Sequence, residues 1–290
     1  MHSNTYRMVA VAAVAVTLAA CNSSDSTSAA LTTQSLVISQ DLANEQGATV
    51  GEAVQNVLGA EAYTGASSMM APASLVAVGG TADLRTCSGP DASGWFSCTN
   101  EIEDGFTVAR SHRFFNSTGF ALGWGPGVDS AQYRWSETGT DSVSADRRPA
   151  GVTSIVRWVN RGDSASLRPI RTVGSEARIW NFRGARNDSS LVKGDRGSRF
   201  YKIAGSRTGT NVTWLLPRLT HPWPASGTIA QSYTATVIFT NAGATKADTT
   251  VRTGSASVTF NGTQTVPVIV GAMSCSLDLL TRKVSGCTGS

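Results

Sequence analysis

The sequence predicts a mainly β protein: a single antiparallel meander sheet, curved or partly closed, with short helices at its N-terminus. Composition is the first reason. Of 290 residues only 15% are charged and 29 are Gly, with Ser and Thr abundant. A helical bundle or coiled coil would need sustained Ala, Glu, Lys and Leu periodicity instead. Texture is the second: beyond Pro72, runs rich in Val, Ile, Thr and aromatic residues alternate with clusters of Gly, Asn, Asp and Ser. The third is Asn261-Gly262, set between Val258-Thr259-Phe260 and Thr263-Gln264-Thr265. Both residues of that pair accept the positive φ of a tight hairpin turn. A hydrophobic share of 41% excludes a wholly disordered chain.

At the N-terminus, Arg7 precedes an apolar run of 13 residues, Met8 to Ala20. The run is too short to span a bilayer as a helix and reads as a secretory signal peptide over residues 1–20. It ends in Leu18-Ala19-Ala20-Cys21. That tetrad resembles the lipobox of bacterial lipoprotein precursors. The resemblance implies that Cys21 becomes the mature N-terminus and carries acyl chains, palmitate among them, each buried methylene adding about 0.8 kcal/mol toward membrane partition. Asn22 follows where many lipoproteins retained at the inner membrane carry Asp, so the family's sorting rule implies the outer membrane. The expected partner is the membrane, reached through this anchor.

Residues 21–34 are small and polar and read as the lipidated cysteine and a flexible tether. Over 35–71 the pattern turns helical and short: Leu36, Val37 and Leu42, then Val50, Ala53, Val54, Val57 and Leu58, recur at spacings of three and four. Thr49 with Glu52 has the form of a capping box for a second helix, and Gly59 can end it.

Residues 72–290 form the β domain. Candidate strands are 106–115, 132–138, 152–161, 175–183, 199–204, 211–219, 227–240, 250–260, 263–270 and 272–279. Between them, Gly184 to Asp188 and Gly205 to Gly209 read as turns, as does Gly162-Asp163-Ser164. Alternation sends Arg178, Trp180 and Phe182 to one face and Ile179, Asn181 and Arg183 to the other. Arg199, Tyr201 and Ile203 likewise oppose Phe200 and Ala204. Without Cys21, four cysteines remain in a chain expected to reach an oxidising space: Cys87, Cys98, Cys275 and Cys287. Three pairings are possible, and the short intervals within the first and last pairs suit local hairpin staples.

Leu216 to Ile229, with Trp223-Pro224 and Ser226-Gly227-Thr228, then Ser257 to Thr263 and Leu277 to Val284, resemble a pattern in uncharacterised β-rich bacterial lipoproteins. The likeness covers roughly the last third of the chain. It implies paired strands and a terminal hairpin and brings no activity with it.

Charge is unevenly spread. Residues 22–133 hold 3 Arg against 11 acids, whereas residues 134–218 hold 14 Arg and 2 Lys against 7 acids. One consequence is that the acidic N-terminal part packs near the basic strands, or that Arg simply lines the solvent face. The other is a basic sheet face meeting anionic lipid or an envelope polyanion, for which Arg157, Arg178, Arg183 and Arg199 are the candidates, because the guanidinium fork holds phosphate in two places. Export argues against nucleic acid.

The search for chemistry names no catalytic residue, metal site or cofactor. Gly162-Asp163-Ser164 has the form of a secreted-esterase nucleophile segment, but that family's Asp three residues before the His is Arg218 here, ahead of His221. Gly123 to Gly127 lacks the spacing of a dinucleotide fingerprint. His112 lies among cations in Arg110-Ser111-His112-Arg113. Glu101, Glu103 and Asp104 lack the alternation of a calcium loop. The expected function is therefore that of a non-enzymatic envelope lipoprotein with a structural or binding role. The competing class is a half-barrel-like carrier of lipids or amphiphiles, distinguished by an open apolar cavity of several hundred Å³ on the concave face.

Overall fold

The computed structural model describes residues 25–61, 87–103, 105–173 and 175–289. Signal peptide, lipobox and Cys21 lie outside them. Contacts divide the chain into Met1–Val37 and Ile38–Ser290. Of the first unit, the described part is the opening of helix α1, which runs without a break over Asp25–Glu61. Among the described residues no helix is long and apolar enough to cross a membrane.

The single helix replaces both the expected tether after Ser24 and the two short helices. Residues 25–46 contain no Gly or Pro, and Ala29, Ala30 and Leu31 favour helix. Thr49 is no cap: its hydroxyl donates to the Glu45 carbonyl one turn back, inside the helix. Gly47 does not break the helix. A Cβ there would collide with Val284 Cγ2 and crowd Leu277, so the glycine lets strand side chains approach the helix backbone.

The second unit is one antiparallel sheet of 14 strands among the described residues. They are β1 (Cys87–Ser88), β2 (Phe96–Cys98), β3 (Glu101–Glu103), β4 (Phe106–Asn116), β5 (Gly119–Ala121), β6 (Ser130–Ser142) and β7 (Val152–Thr172). Then come β8 (Ser175–Gly194), β9 (Gly197–Leu216), β10 (Ser226–Thr240), β11 (Asp248–Thr259), β12 (Thr265–Val270), β13 (Met273–Asp278) and β14 (Lys283–Thr288). From β6 onward each strand pairs with the next in sequence, as a meander does, while β2, β3 and β5 line the free side of β4. The order is open: β1 and β14 are its ends.

Three expected turns are the middles of long strands. Gly162-Asp163-Ser164 lies within β7, Gly184 to Asp188 within β8, and Gly205 to Gly209 within β9. Two of the three carry glycine as a packing position: a Cβ on Gly184 would strike the Asp163 carboxylate, and one on Gly209 would strike the Phe182 ring, whereas Gly162 has open space around it. The Asn261-Gly262 turn lies between β11 and β12 as expected, but it is wider than a two-residue hairpin, since Val258 pairs with Val268. Gly262 has φ +83° and its N–H donates to the Pro224 carbonyl, while the Asn261 carboxamide accepts from Thr263. Both disulfides are local, Cys87–Cys98 joining β1 to β2 and Cys275–Cys287 joining β13 to β14.

Residues 38–60 of α1 lie against the inner face of the sheet. Gly47 approaches Val284 of β14, and Asn56 donates to Glu137 of β6 while accepting from Arg110 of β4 at 3.3 Å. Flat, the nine strand-to-strand steps from β4 to β14 would span about 43 Å, several times a helix diameter of about 10–12 Å. One helix can meet both ends only if the sheet curves around it. The apolar side of α1, with Ala43, Val50, Val54 and Val57, joins the core of Phe114, Tyr133, Leu167, Trp180, Trp214 and Leu277. Ile38 and Leu42 join a second cluster with Val192, Tyr201, Ile203 and Val237.

Candidate functional site

Between the two apolar clusters runs a belt of charge. Along β7 the inward positions read Arg157, Val159, Arg161, Asp163, Ala165 and Leu167, all buried. On β8 the same phase carries Arg178, Trp180, Phe182, Arg186 and Asp188, and on β9 Arg199, Tyr201, Ile203 and Arg207. The register sets Arg161 opposite Glu137 of β6 on one side and Arg186 of β8 on the other. From α1, Asp41, Glu45, Gln46, Thr49, Glu52 and Asn56 recur at spacings that place them along the side facing this belt.

The pairing is specific. Arg157 grips the two Glu52 oxygens at 2.7 and 3.3 Å. Arg161 donates to Glu52 as well, and its Nε and Nη2 reach Asp188 at 2.7 and 2.6 Å. Arg186 donates to the Thr49 hydroxyl at 2.6 Å and the Gln46 carbonyl oxygen at 2.7 Å. Arg207 binds both oxygens of Asp163 and donates to the Thr49 backbone carbonyl at 3.1 Å. Toward the Ile38 end, Asp41 accepts from Arg199 and from the Tyr201 hydroxyl, each at 2.5 Å.

Electrostatics separate two carboxylates of this belt. Burial works to raise the Glu52 pKa, but Arg157, Arg161 and Arg282 around it win, and it lies well below the usual range. Burial also raises Glu137; the Glu52 charge adds to that, and the more distant Arg161 does not offset it. Its Oε2 is buried with no hydrogen-bond partner. Burial opposes the charges of Arg157 and Arg161, yet the carboxylates around them outweigh it and raise both pKa values. Arg186, hydrogen-bonded to neutral groups and beside Arg161, is lowered to about 10 by burial, which Asp188 at 3.5 Å and Glu45 at 3.9 Å do not offset.

These contacts occupy three of the four arginines expected to meet an outside anion. Arg157 is held by Glu52, Arg199 by Asp41, and Arg178 by Glu176 at 2.8 Å, with its guanidinium 5.1 Å from the Trp124 ring centre. All three are buried because their strand phase points inward. Only Arg183 of the four faces outward, where with Arg134 it borders shallow grooves of about 460 and 540 Å³. The acidic part of the chain does pack on the basic strands. The sequence reads Glu52 as half of a capping box and Asp163 and Asp188 as turn residues, and it assigns none of Glu52, Glu137, Arg161, Asp163, Arg186, Asp188 and Arg207 to a buried belt. Their signal was phase: on β7 to β9 they stand at the same parity as the core residues.

The histidines are apart. His112 is buried between Phe96, stacked at 5.2 Å, and Phe114 at 5.0 Å, and burial lowers its pKa to about 4. Its Nδ1 lies 3.7 Å from Cys98 Sγ, and ligand atoms of Cys87, Cys98 and His112 fall within 4.8 Å of one another. The two sulfurs are bonded to each other, so they are not thiolate ligands in this state. His221 is exposed in the β9–β10 connection. Glu101 pairs with Arg110 at 3.0 Å, and Asp104 lies outside the described residues.

Beside the belt, a cleft of about 290 Å³ opens between α1, the β6–β7 connection and the β13–β14 turn, lined among others by Asp41, Glu45, Arg147, Arg157, Tyr201 and Arg282. Charges of both signs border it. No family model, curated protein or solved structure matches the chain.

Proposed function

We propose that the protein is a lipid-anchored lipoprotein of the bacterial cell envelope, held through Cys21 at the outer membrane, whose β domain has a non-enzymatic structural or binding role. The anchor rests on Leu18-Ala19-Ala20-Cys21 closing an apolar run. Two disulfides in the domain agree with an oxidising compartment. One structural observation supports the role of the domain: its own helix fills the inner face of the sheet, through paired charges as well as apolar contacts. A carrier of half-barrel type would need that face open to acyl chains. The cleft beside the belt holds about 290 Å³ and sets Asp41, Glu45, Arg147 and Arg282 among apolar Val143, Ile155 and Val192, so it is not the continuous apolar cavity a carrier needs.

The anchor is tested by fractionating cells that express the wild type or Cys21→Ser. Wild-type protein stays with membranes through a high-salt wash, while the variant is released. Equal retention of the two would contradict the anchor.

A further inference from the structure

The cleft beside the charged belt has a floor of two rows. Across β6 to β9 the inward positions Asp141, Arg157, Ser190 and Tyr201 stand opposite one another in turn. Two residues further along β6, β7 and β8 the side chains become apolar. Ile155 faces Val192, and the Val143 N–H, just past the end of β6, donates to the Ile155 carbonyl. At about 3.3 Å per residue, the apolar row lies about 7 Å from the charged one. Residues of both rows line the cleft, which lies wholly within the second unit.

The walls add charge of both signs. Glu45 of α1 has its Oε1 3.6 Å from Arg157, 3.7 Å from Arg161 and 3.9 Å from Arg186, near three cations and hydrogen-bonded to none of them. The buried Nε of Arg157 has no hydrogen-bond partner among the described residues. Arg147 enters from the β6–β7 connection and is half-buried. Arg282 enters from the β13–β14 turn, and its Nη1 also stands 3.7 Å from Glu52. Two local features work against stability to place it there. Its φ of +59° lies in the left-handed region, which disfavours residues other than Gly, Asn and Asp. The helix residue facing it is Gly51, where a Cβ would come within 2.7 Å of Arg282 Cγ, so a helix-weakening glycine makes room for the side chain. A turn and helix selected for stability alone would carry glycine at 282 and alanine at 51.

A cleft of about 290 Å³ is at the small end of binding pockets. A lipid tail would strand its charges, and an inorganic anion would leave its apolar row bare. Both rows are met by a small molecule with two opposite charges at one end and a branched aliphatic chain at the other. We propose that the cleft binds a free aliphatic amino acid such as leucine. The carboxylate lies toward Arg147 and Arg282, the ammonium toward Glu45 and Asp141, and the side chain on Val143, Ile155 and Val192. The inference rests on the binding half of the role proposed above and is independent of the anchor. Isothermal titration of the intact lipidated protein in mild detergent tests it, where membrane attachment plays no part. Leucine binds saturably, with a Kd below about 1 mM. Isocaproate lacks the ammonium, isoamylamine the carboxylate and glycine the aliphatic chain, and each binds about tenfold or more weakly. Arg147→Gln and Glu45→Gln weaken leucine by a similar factor, with circular dichroism unchanged. The three analogues are read on wild type, so the answer does not depend on the variants folding. No saturable heat with leucine would overturn the assignment and leave the Cys21 anchor standing. Isocaproate or isoamylamine binding as tightly as leucine would overturn the zwitterion, and glycine binding as tightly would overturn the role of the apolar row.

Discussion

Arg161 of β7 donates to the carboxylate of Glu52 in α1, a residue 109 positions earlier in the chain, and both side chains are buried. Asp188 holds the other edge of the same guanidinium. This three-residue chain ties helix to sheet at the centre of the inner face. Charge placed there must be paired, because an isolated buried ion is far more costly than a paired one.

Glu52 and Glu137 are therefore expected to respond differently to the same substitution. Glu52→Gln leaves Arg157 and Arg161 short of a counter-charge and is expected to cost about 3–5 kcal/mol, the range for breaking a buried pair from one side. Glu137→Gln retains an oxygen for Asn56 and removes a carboxylate whose pKa is already raised, so a cost below about 1 kcal/mol is expected. Denaturant titration of the two variants measures the difference; equal costs would contradict the assignment.

Gly47→Ala tests the fit of helix to sheet. In an exposed helix interior this exchange stabilises by about 1 kcal/mol. Here the new Cβ meets Val284 and Leu277, and a loss of about 1–3 kcal/mol is expected from overpacking. The sign of the change in denaturation midpoint decides the matter.

His112 gives the domain an acid sensitivity of stated sign. Its folded pKa of about 4 lies below the ordinary value of 6.5. The favourable contribution is complete above 6.5 and is lost as pH falls toward 4, because the unfolded chain takes up a proton that the buried ring refuses. The loss is on the order of 3 kcal/mol by linkage. Stability measured from pH 7 to pH 4 should fall less steeply in His112→Phe, which keeps an aromatic ring between Phe96 and Phe114.

The meander, the facing of Trp180 and Tyr201, and the local cysteine pairs were legible in the sequence, because alternation and short intervals express them directly. Strand length was not. Gly162, Gly184 and Gly205 carry the composition of turns, yet they stand in strand centres; at Gly184 and Gly205 neighbouring side chains or backbone leave little room for a Cβ, and only long-range packing reveals that. The charged belt was hidden for a related reason: Arg157 and Arg199 look like surface residues until their parity is compared with Val159 and Tyr201. Helix length was hidden because the small polar residues up to 34 read as a tether, and Gly47, where the helix does not break, is a point of close approach that only its packing on Val284 reveals.

Removing the second staple by Cys275→Ala with Cys287→Ala frees a 12-residue separation at the edge of the sheet. A loss of about 3 kcal/mol is expected from the chain-entropy effect. Hydrogen exchange should accelerate first in β13 and β14, and then in α1 around Gly47, which packs on Val284.

Intact-mass spectrometry of protein extracted gently from membranes bears most directly on an anchored domain with a filled interior. The expected mass is that of a chain beginning at Cys21 plus its acyl groups, with no further lipid retained under native conditions. A chain that begins elsewhere, a Cys21 without acyl mass, or a stoichiometric lipid held by the folded domain would contradict it.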